Sequence, residues 1–401
     1  MKLLLINPNR YRTPPAPPLG LEYLENALRD SPHECRILDL CFEDNPSAAL
    51  DDAINGFTPD IAGMSIRNID TVICHNNLFF LDEIKLLVDH VKKKGVPVIL
   101  GGVGFSFIPE GILLYIGADW GVKGPGERGL RYILDNLEIN NEFPLGTVLD
   151  GWEMEFDPDM RVLRGDSIDY GRYFADGALA GFQTQTGCME RCTYCSEGTE
   201  KVRFRNPDRI IEELNSLVSR GFTDFHLCDT EFNQDIDFCH TFLKTLIAKG
   251  TEISWTLYMK SFPYDDDIFR LLRKSGANLI TLSIPTGNMS MENAENIIGM
   301  VKKYEMRIAV DFLCGFPGEK LDSVKRTIDR FREIRPDTVG INSTFRLYPG
   351  NAITRKVMES PNYRNNLSGD VNDNPHLIRP VFYSHINVEM LHIILPISPV
   401  M

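Results

Sequence analysis

The chain has 401 residues, of which 43% are hydrophobic and 24% are charged, as in soluble globular proteins with two or three domains. Its net charge of -14 and the absence of a basic patch argue against a nucleic-acid-binding groove. No apolar run is long enough to cross a bilayer, and we expect neither a signal peptide nor a membrane partner. Nine cysteines without a secretory signal predict a reducing, cytoplasmic location.

Residues 1–145 alternate strand-length apolar runs with helical patterns. The runs lie at 2–7, 36–40, 61–65 and 96–100, and the strongest amphipathic pattern precedes the fourth. This alternation predicts βαβ units and a doubly wound, Rossmann-like parallel sheet, hence an α/β fold. Ligands of such sheets bind beyond the carboxyl ends of the strands, which makes the loops at those ends the candidate binding residues.

Three of these loops have unusual compositions. Residues 7–20 are rich in proline, which stiffens an extended path, and residues 65–70 follow the third strand. Residues 101–105 begin with two glycines, which allow a ligand to approach the backbone closely, and the glycine-rich stretch 117–127 follows them.

Taken in order, these loops resemble the cobalamin-binding domain that one large branch of enzymes carries at its N terminus. The resemblance covers most of residues 1–140 and implies cobalamin contacts. The implied residues are Asn9, Ser65, Ile66, Arg67, Asn68, Gly101, Gly102, Gly104, Phe105, Gly124, Gly126 and Glu127. Many cobalamin proteins ligate cobalt with a histidine in the first loop, which this chain lacks, so Arg67 or Asn68 is expected to face the lower side of the corrin. The alternative is a domain that keeps the fold and binds no cofactor.

The remaining chain predicts a linker and a second domain. Residues 146–177 have no clean period and are interpreted as a linker. Residues 178–360 contain six further strand-length runs separated by apolar helical stretches, which predicts a partial (β/α)6 TIM barrel. Barrel enzymes place their chemistry at the carboxyl ends of the strands.

The first of these ends carries a loop with three cysteines. Cys188, Cys192 and Cys195 have CxxxCxxC spacing, and thiolates suit zinc and iron–sulfur clusters. A structural zinc ion needs four ligands, and the sequence contains no CxxC or HxxxH partner. The loop therefore predicts a [4Fe–4S] cluster with one open iron. The alternative is three ordinary cysteines that happen to lie close together.

With Tyr194 directly before its last cysteine, this loop resembles that of the radical S-adenosylmethionine (SAM) superfamily. In that family the open iron binds SAM, and an electron from the cluster splits SAM to a 5′-deoxyadenosyl radical. The resemblance implies SAM contacts from residues at the strand ends, although each could be structural. These residues are Tyr194, Asp229, Thr230, Glu231, Lys260, Ser283, Gly315, Phe316 and Arg346.

Both resemblances together imply a cobalamin-dependent radical SAM methyltransferase. One SAM would methylate cobalamin, and a second would give the radical that attacks an unactivated carbon of a small metabolite. The runner-up is a radical SAM dehydratase, epimerase or ring-rearranging enzyme whose cobalamin is non-methylating or absent. A third hypothesis is a cobalamin or redox sensor, which would not consume SAM.

The expected substrate lies between the two cofactors, because positioning decides which bond a radical attacks. Its walls are predicted to include Arg67, Phe105 and Tyr348, and residues 361–401 are predicted to cover the barrel mouth. An external electron donor such as a flavodoxin or ferredoxin is also implied. Neither the substrate nor a catalytic residue is identified by the sequence.

Overall fold

The computed structural model describes residues 1–140, 142–199, 201–285, 291–386 and 390–391. Strands and helices alternate through the first part, as the apolar pattern predicts. The elements are β1 (Lys2–Asn7), α1 (Leu19–Leu28), β2 (Glu34–Asp39), α2 (Pro46–Phe57), β3 (Ile61–Ser65), α3 (Leu81–Lys93), β4 (Val98–Gly101), α4 (Val103–Phe107), α5 (Pro109–Ile116), β5 (Trp120–Lys123), α6 (Glu127–Asn140), β6 (Val148–Asp150), α7 (Tyr170–Ala175) and β7 (Ala180–Phe182).

The first sheet has six strands in the order β2-β1-β3-β4-β5-β6. Strand β1 pairs in parallel with both β2 and β3, so the strand order reverses at β1. The crevice beyond the carboxyl ends of β1 and β3 is therefore the position at which such sheets bind ligands. The Rossmann-like prediction is confirmed.

The core of this sheet comes from strands that are buried along most of their length. Residues 3–7 of β1 and residues 61–64 of β3 are buried, as expected for strands covered on both faces. Leu3, Leu5 and Ile61 belong to one cluster with Leu130 and Ile133 of α6. Their packing holds the loops at the carboxyl ends in place.

The interpretation of residues 146–177 as a linker is wrong. Residues 148–150 form β6, which pairs in parallel with β5, and α7 follows at 170–175. The sequence hides this strand because β6 has only three residues, too few for a period to be recognised.

The remaining elements again alternate. They are β8 (Gln185–Thr186), β9 (Arg203–Phe204), α8 (Pro207–Val218), β10 (Asp224–Leu227), α9 (Ile236–Lys249), β11 (Ser254–Met259), α10 (Asp266–Lys274), β12 (Ala277–Pro285), α11 (Met291–Lys303), β13 (Arg307–Leu313), α12 (Leu321–Ile334), β14 (Thr338–Asn342), β15 (Phe345–Arg346), α13 (Ala352–Glu359), α14 (Pro361–Arg364), β16 (Leu367–Ser368) and β17 (Phe382–Tyr383). Among the described residues, no helix is both long enough and apolar enough to span a membrane.

A second six-stranded sheet has the order β14-β13-β12-β11-β10-β7. Successive strands are neighbours, as in a (β/α) barrel, and the sheet leaves β14 and β7 as open edges. Strands β11 and β13 alternate buried and half-buried residues, so one face packs on helices and the other faces the barrel interior. The partial-barrel prediction is confirmed.

Residue contacts divide the chain into two compact units. The first contains residues 1–71, 77–182 and 208–222, and the second contains residues 72–76, 183–207 and 223–401. Strands β15, β17 and β16 form a small antiparallel sheet in the second unit, which ties the C-terminal segment to residues near 346. That residues 361–401 cover the barrel mouth stays a prediction, and residues 387–389 and 392–401 lie outside the described residues.

Candidate active site

The three cysteines lie on a loop that is closed at its base by hydrogen bonds. Strands β8 and β9 form an antiparallel pair on either side of the loop. The Thr199 N–H donates to the Cys188 carbonyl over 2.7 Å, and the Thr199 hydroxyl accepts from the Cys188 N–H over 3.1 Å. Gly187, with a φ of +93°, supplies the left-handed turn that enters the loop.

A second set of contacts holds the far side of the loop. The Asn351 side chain donates to the Tyr194 carbonyl over 2.9 Å and accepts from the Ser196 hydroxyl over 3.2 Å. The Tyr194 ring packs at a centroid distance of 5.9 Å from both Phe316 and Phe345. Tyr194 and Phe316, both predicted SAM contacts, therefore pack side by side next to the cysteine loop.

The cysteine sulfurs accept hydrogen bonds from this framework. The Glu197 N–H donates to Cys195 Sγ over 3.4 Å, and Gln234 Nε2 donates to Cys188 Sγ over 3.2 Å. Burial raises the pKa of all three thiols, that of Cys195 to about 12, so metal binding would release protons. Gln234 and Asn351 could not be predicted from the sequence, because each contacts the cysteine loop from a position far away along the chain.

The three residues after β10 have different surroundings. Asp229 is buried and accepts from the Thr184 and Gln185 N–H groups over 2.9 and 3.3 Å, and from the Thr184 hydroxyl. Burial raises the pKa of Asp229 to about 7. One of its oxygens accepts from backbone N–H groups and the other from the Thr184 hydroxyl, and the contact of this carboxylate with SAM stays a prediction.

Glu231 and Thr230 lie closer to the cysteine loop. The Thr230 hydroxyl donates to Glu197 over 3.2 Å. One carboxylate oxygen of Glu231, Oε2, is buried without a hydrogen-bond partner. Burial raises the pKa of Glu231 to about 8, and Glu190 adds to this while Lys260 opposes it. Of the predicted SAM contacts after β10, Glu231 is thus the carboxylate with an unused acceptor.

Lys260 and Ser283, at the ends of the next two strands, were both predicted to hold the SAM carboxylate or ribose. Lys260 Nζ lies 2.8 Å from Glu190 and 3.3 Å from Gln234 Oε1, so it contacts the cluster loop. Ser283 is half-buried on β12 and lies opposite Asp311 of β13. Its SAM contact stays a prediction.

The turn after β13 is built by its own residues. Gly315 has a φ of +84°, and its N–H and that of Phe316 donate to Glu319 over 2.6 and 3.1 Å. Both N–H groups are therefore used within the turn, and a SAM contact at Gly315 would have to use other atoms.

Arg346 and Tyr348 are more buried than the sequence predicts. Arg346 is 3% exposed and donates to the carbonyls of Leu347, Leu377 and Ile378 over 2.6, 2.9 and 2.9 Å. Its guanidinium holds the C-terminal segment, and its contact with SAM stays a prediction. Tyr348 is 9% exposed, with the Arg346 guanidinium 4.9 Å from its ring centre, and its role as a substrate wall stays a prediction.

In the first unit, the glycine loop packs directly on the loop after β3. The Ile66 N–H donates to Gly101 over 2.8 Å, and the Gly104 N–H donates to Ile66 over 2.9 Å. A Cβ on Gly102 would lie 2.5 Å from the Ile66 carbonyl oxygen, and one on Gly104 would lie 3.0 Å from the Arg67 carbonyl oxygen. The missing side chains of these glycines therefore allow the glycine loop to contact the backbone of the loop after β3. The sequence analysis attributes the same glycines to the close approach of a ligand.

Three further predicted contact residues of the first unit lie in packed surroundings. Phe105 is fully buried beneath Gly121, where a Cβ would lie 2.3 Å from its ring, so it cannot form a wall of the substrate site. A Cβ on Gly124 would lie 2.6 Å from the Trp152 ring, and one on Gly126 would lie 3.0 Å from Leu24. These glycines also serve packing within the unit. Glu127, the remaining predicted contact, begins α6.

The other predicted cobalamin contacts meet at the carboxyl ends of β1 and β3. A cavity of about 300 Å³ lies there and is lined in part by Asn9, Arg67 and Asn68, with Tyr11 and Phe80 as aromatic neighbours. Arg67 is exposed and Ser65 is half-buried. The structure therefore brings the first predicted loop and the loop after β3 together at the crevice of the sheet.

Comparison with protein families identifies both units. Residues 11–134 match the B12 binding domain, and residues 182–331 match the radical SAM superfamily. The chain belongs to the cobalamin-dependent radical SAM enzymes. These two domains coincide with the sheet that carries the crevice and with the barrel that carries the cysteine loop.

This enzyme is similar to several known proteins along most of its length. It is 25% identical to the tryptophan 2-C-methyltransferase of Streptomyces laurentii, over 88% of this chain and 74% of that protein. It is 23% identical to an uncharacterized methyltransferase of Pyrococcus horikoshii, over 82% and 77% of the two chains.

Solved structures show the same fold. The radical SAM methyltransferase TsrM of Kitasatospora setae, with cobalamin and a [4Fe–4S] cluster bound, aligns with a TM-score of 0.89 and 22% identity over 99% of this enzyme and 91% of that chain. The cobalamin-dependent SAM radical enzyme OxsB aligns with a TM-score of 0.72 and 13% identity over 98% and 65% of the two chains.

The cysteine loop of this enzyme fits a [4Fe–4S] cluster. Among the described residues, no three His, Cys, Asp or Glu side chains converge on a point suited to one metal ion. A cluster does not need such a point, because each thiolate ligates a different iron. Three thiols on one closed loop, two of which accept N–H hydrogen bonds at sulfur, are the donor set that such a cluster uses.

Proposed function

We propose that this enzyme transfers a methyl group from SAM, by way of cobalamin, to a carbon atom of a small molecule. The observation that carries the proposal is the combination of a three-thiol cluster loop with a B12-binding sheet whose crevice is lined by Asn9, Arg67 and Asn68. The tryptophan 2-C-methyltransferase and the P. horikoshii methyltransferase, each similar over more than four fifths of this chain, support methyl transfer over dehydration or rearrangement.

Different residues of the second unit would hold the cluster and bind SAM. Cys188, Cys192 and Cys195 would hold three irons, and Glu231 would accept a hydrogen bond from the SAM ammonium group with its unused oxygen. When bound, the cluster supplies the electron that cleaves SAM, and cobalamin carries the methyl group. The chain's own contribution is to hold these groups in fixed positions, since positioning decides which bond reacts.

The first unit would hold cobalamin through backbone and polar groups at the crevice. The first loop contains no histidine and would offer the cobalt no imidazole ligand, and Arg67, from the loop after β3, lines the crevice together with Arg10 and Arg12. Asn68, half-buried beside it, offers an amide to the corrin side chains.

For the substrate, an aromatic amino acid is the first class to test. The support is the name of the S. laurentii relative, which acts on carbon 2 of tryptophan. An external one-electron donor, such as a flavodoxin or ferredoxin, is part of the proposal because the cluster must be reduced.

The test is an anaerobic incubation of reconstituted enzyme with SAM, cobalamin, a reductant and tryptophan or related aromatic metabolites. Mass spectrometry should show S-adenosylhomocysteine, 5′-deoxyadenosine and a methylated product. If 5′-deoxyadenosine alone forms with cobalamin bound, methyl transfer is wrong and the dehydratase or rearrangement hypothesis replaces it. A methylated product without 5′-deoxyadenosine would retain methyl transfer and contradict the radical step.

A further inference from the structure

A buried amide faces the cluster loop from the turn after β10. Residues Phe232–Gln234 form a single 3-10 turn, and Gln234 is 8% exposed. Gln234 Nε2 donates to Cys188 Sγ over 3.2 Å, whereas Oε1 accepts from Lys260 Nζ over 3.3 Å and lies 3.5 Å from the Met189 N–H. A reversed amide would direct its NH2 group at two donors, so the surrounding network fixes its orientation.

A cation lies directly behind this amide. Lys260 Nζ contacts Gln234 Oε1 and pairs with Glu190 at 2.8 Å, and its side chain is 16% exposed. The fully buried Asn233 holds the Lys260 backbone, since its amide accepts from the Lys260 N–H and donates to the Lys260 carbonyl, each over 2.9 Å. The turn that carries Gln234 therefore also fixes the start of the Lys260 side chain.

We propose that Gln234 and Lys260 set the reduction potential of the cluster that Cys188 helps to hold. Reduction adds one electron, supplied by an external one-electron donor, and makes the cluster more negative by one charge. A hydrogen bond to a ligating sulfur stabilises that added charge, and hydrogen bonds to sulfur are among the factors that set cluster potentials. The Lys260 ammonium polarises the Gln234 amide toward the sulfur, which strengthens the same effect.

Gln234 is thus a positioning residue that acts through Cys188. The inference rests on the cluster assignment alone and does not depend on which molecule receives the methyl group. It assigns Lys260 to the electron-transfer step, where the sequence suggested a contact to the SAM carboxylate or ribose.

The experiment compares reconstituted Gln234→Leu and Lys260→Met with the unaltered enzyme. Iron and sulfide content report cluster occupancy, and a redox titration followed by electron paramagnetic resonance of the reduced cluster reports the midpoint potential. Both variants should show a more negative potential, with the larger shift in Gln234→Leu because it removes the donor itself. Asn278→Leu is the matched control, since this amide lies at the amino end of β12 and donates to the Ser254 hydroxyl.

An unchanged potential in a cluster-loaded Gln234→Leu protein overturns the inference. If that variant loses its cluster, Lys260→Met decides, because it leaves the amide in place: a negative shift supports the inference and an unchanged potential overturns it. An equal shift in Asn278→Leu would indicate general loosening and also overturn it. Absence of iron from the unaltered enzyme would remove the cluster assignment itself, which is a different result from absence of a methylated product.

Discussion

The side-chain amide of Asn351 donates to the backbone carbonyl of Tyr194 over 2.9 Å, and through this contact the segment before α13 holds the cysteine loop. The two residues are 157 positions apart in the sequence. The same side chain accepts from Ser196, so a single residue restrains the loop on both sides of Cys195.

Replacement of Asn351 with Ala should loosen this loop. Two hydrogen bonds are lost, at about 1 kcal/mol each, so we expect a fraction of the cluster to be lost on anaerobic gel filtration. Iron per chain is the measurement. Asn374→Ala, which removes backbone contacts elsewhere in the same unit, should keep full iron content, and equal losses in both proteins would contradict the role of Asn351.

Replacement of Cys192 with Ala should abolish 5′-deoxyadenosine formation. The remaining two thiols leave the cluster with too few protein ligands, so the visible absorbance of the reconstituted protein should also fall. Cys35→Ala, in β2, serves as the control and should retain both properties. Full activity of Cys192→Ala would remove this cysteine from the ligand set.

Gly102→Ala should destabilise the first unit and lower its cobalamin content. Its φ of +97° disfavours a side chain, and the new Cβ would lie 2.5 Å from the Ile66 carbonyl oxygen, so the loop after β3 must move. Gly146→Ala is similar in φ at +79°, and a Cβ at that position would have no neighbouring atom within 4 Å, so this variant isolates the cost of backbone strain. The unaltered enzyme should hold nearly one cobalamin per chain.

Corrin absorbance and chemical denaturation measure the two effects. We expect Gly102→Ala to lose more stability and more corrin than Gly146→Ala. Equal values for the two variants would show that the loop contact does not matter. Absence of corrin and cobalt from the unaltered enzyme would support the alternative that this domain keeps only its fold.

Asp229 should make folding stability fall as the pH rises. Burial raises the pKa of Asp229 from an ordinary value of 3.8 to about 7, so between these values the folded chain holds a proton that the unfolded chain has lost. This bound proton adds a few kcal/mol to the free energy of unfolding. The added stability is fully present near pH 4 and is lost progressively as the pH rises through 7.

Asp229→Asn should remove this slope, because an amide oxygen still accepts from the Thr184 and Gln185 N–H groups and does not titrate. Chemical denaturation of both proteins between pH 5 and pH 7.5 is the measurement, and the difference between the two slopes isolates Asp229. Parallel curves would contradict the prediction.

Arg346→Lys should lower stability without a selective loss of SAM binding. Lysine cannot donate to three carbonyls from one planar group, so at least one buried carbonyl loses its partner, at a cost of about 1–3 kcal/mol. Thermal unfolding and SAM affinity should be measured together. A large fall in SAM affinity at unchanged stability would contradict this expectation and support the SAM contact that the sequence suggested.

The sequence alone determined the chemistry that depends on residue type and local spacing. Cys188, Cys192 and Cys195 lie on one short loop whatever the fold. Three thiolates at this spacing are typical of an iron–sulfur cluster site. The alternation of apolar runs with helices likewise reports local periodicity, so both sheets and their parallel class were predictable. The exceptions are the short strand β6 and strand β5, which lies within the glycine-rich stretch 117–127 that the sequence analysis interprets as a loop.

Only the tertiary structure decided which strand-end side chains are available to a ligand. Asp229, Glu231, Arg346 and Phe105 all follow or end apolar runs, and nothing local separates them. Packing directs Asp229 and Arg346 onto backbone groups and covers Phe105, whereas Glu231 keeps an unused oxygen. Such assignments depend on partners that are distant in the chain, as with Asn351 and Tyr194, and a contact between distant residues leaves no periodic signal in the sequence.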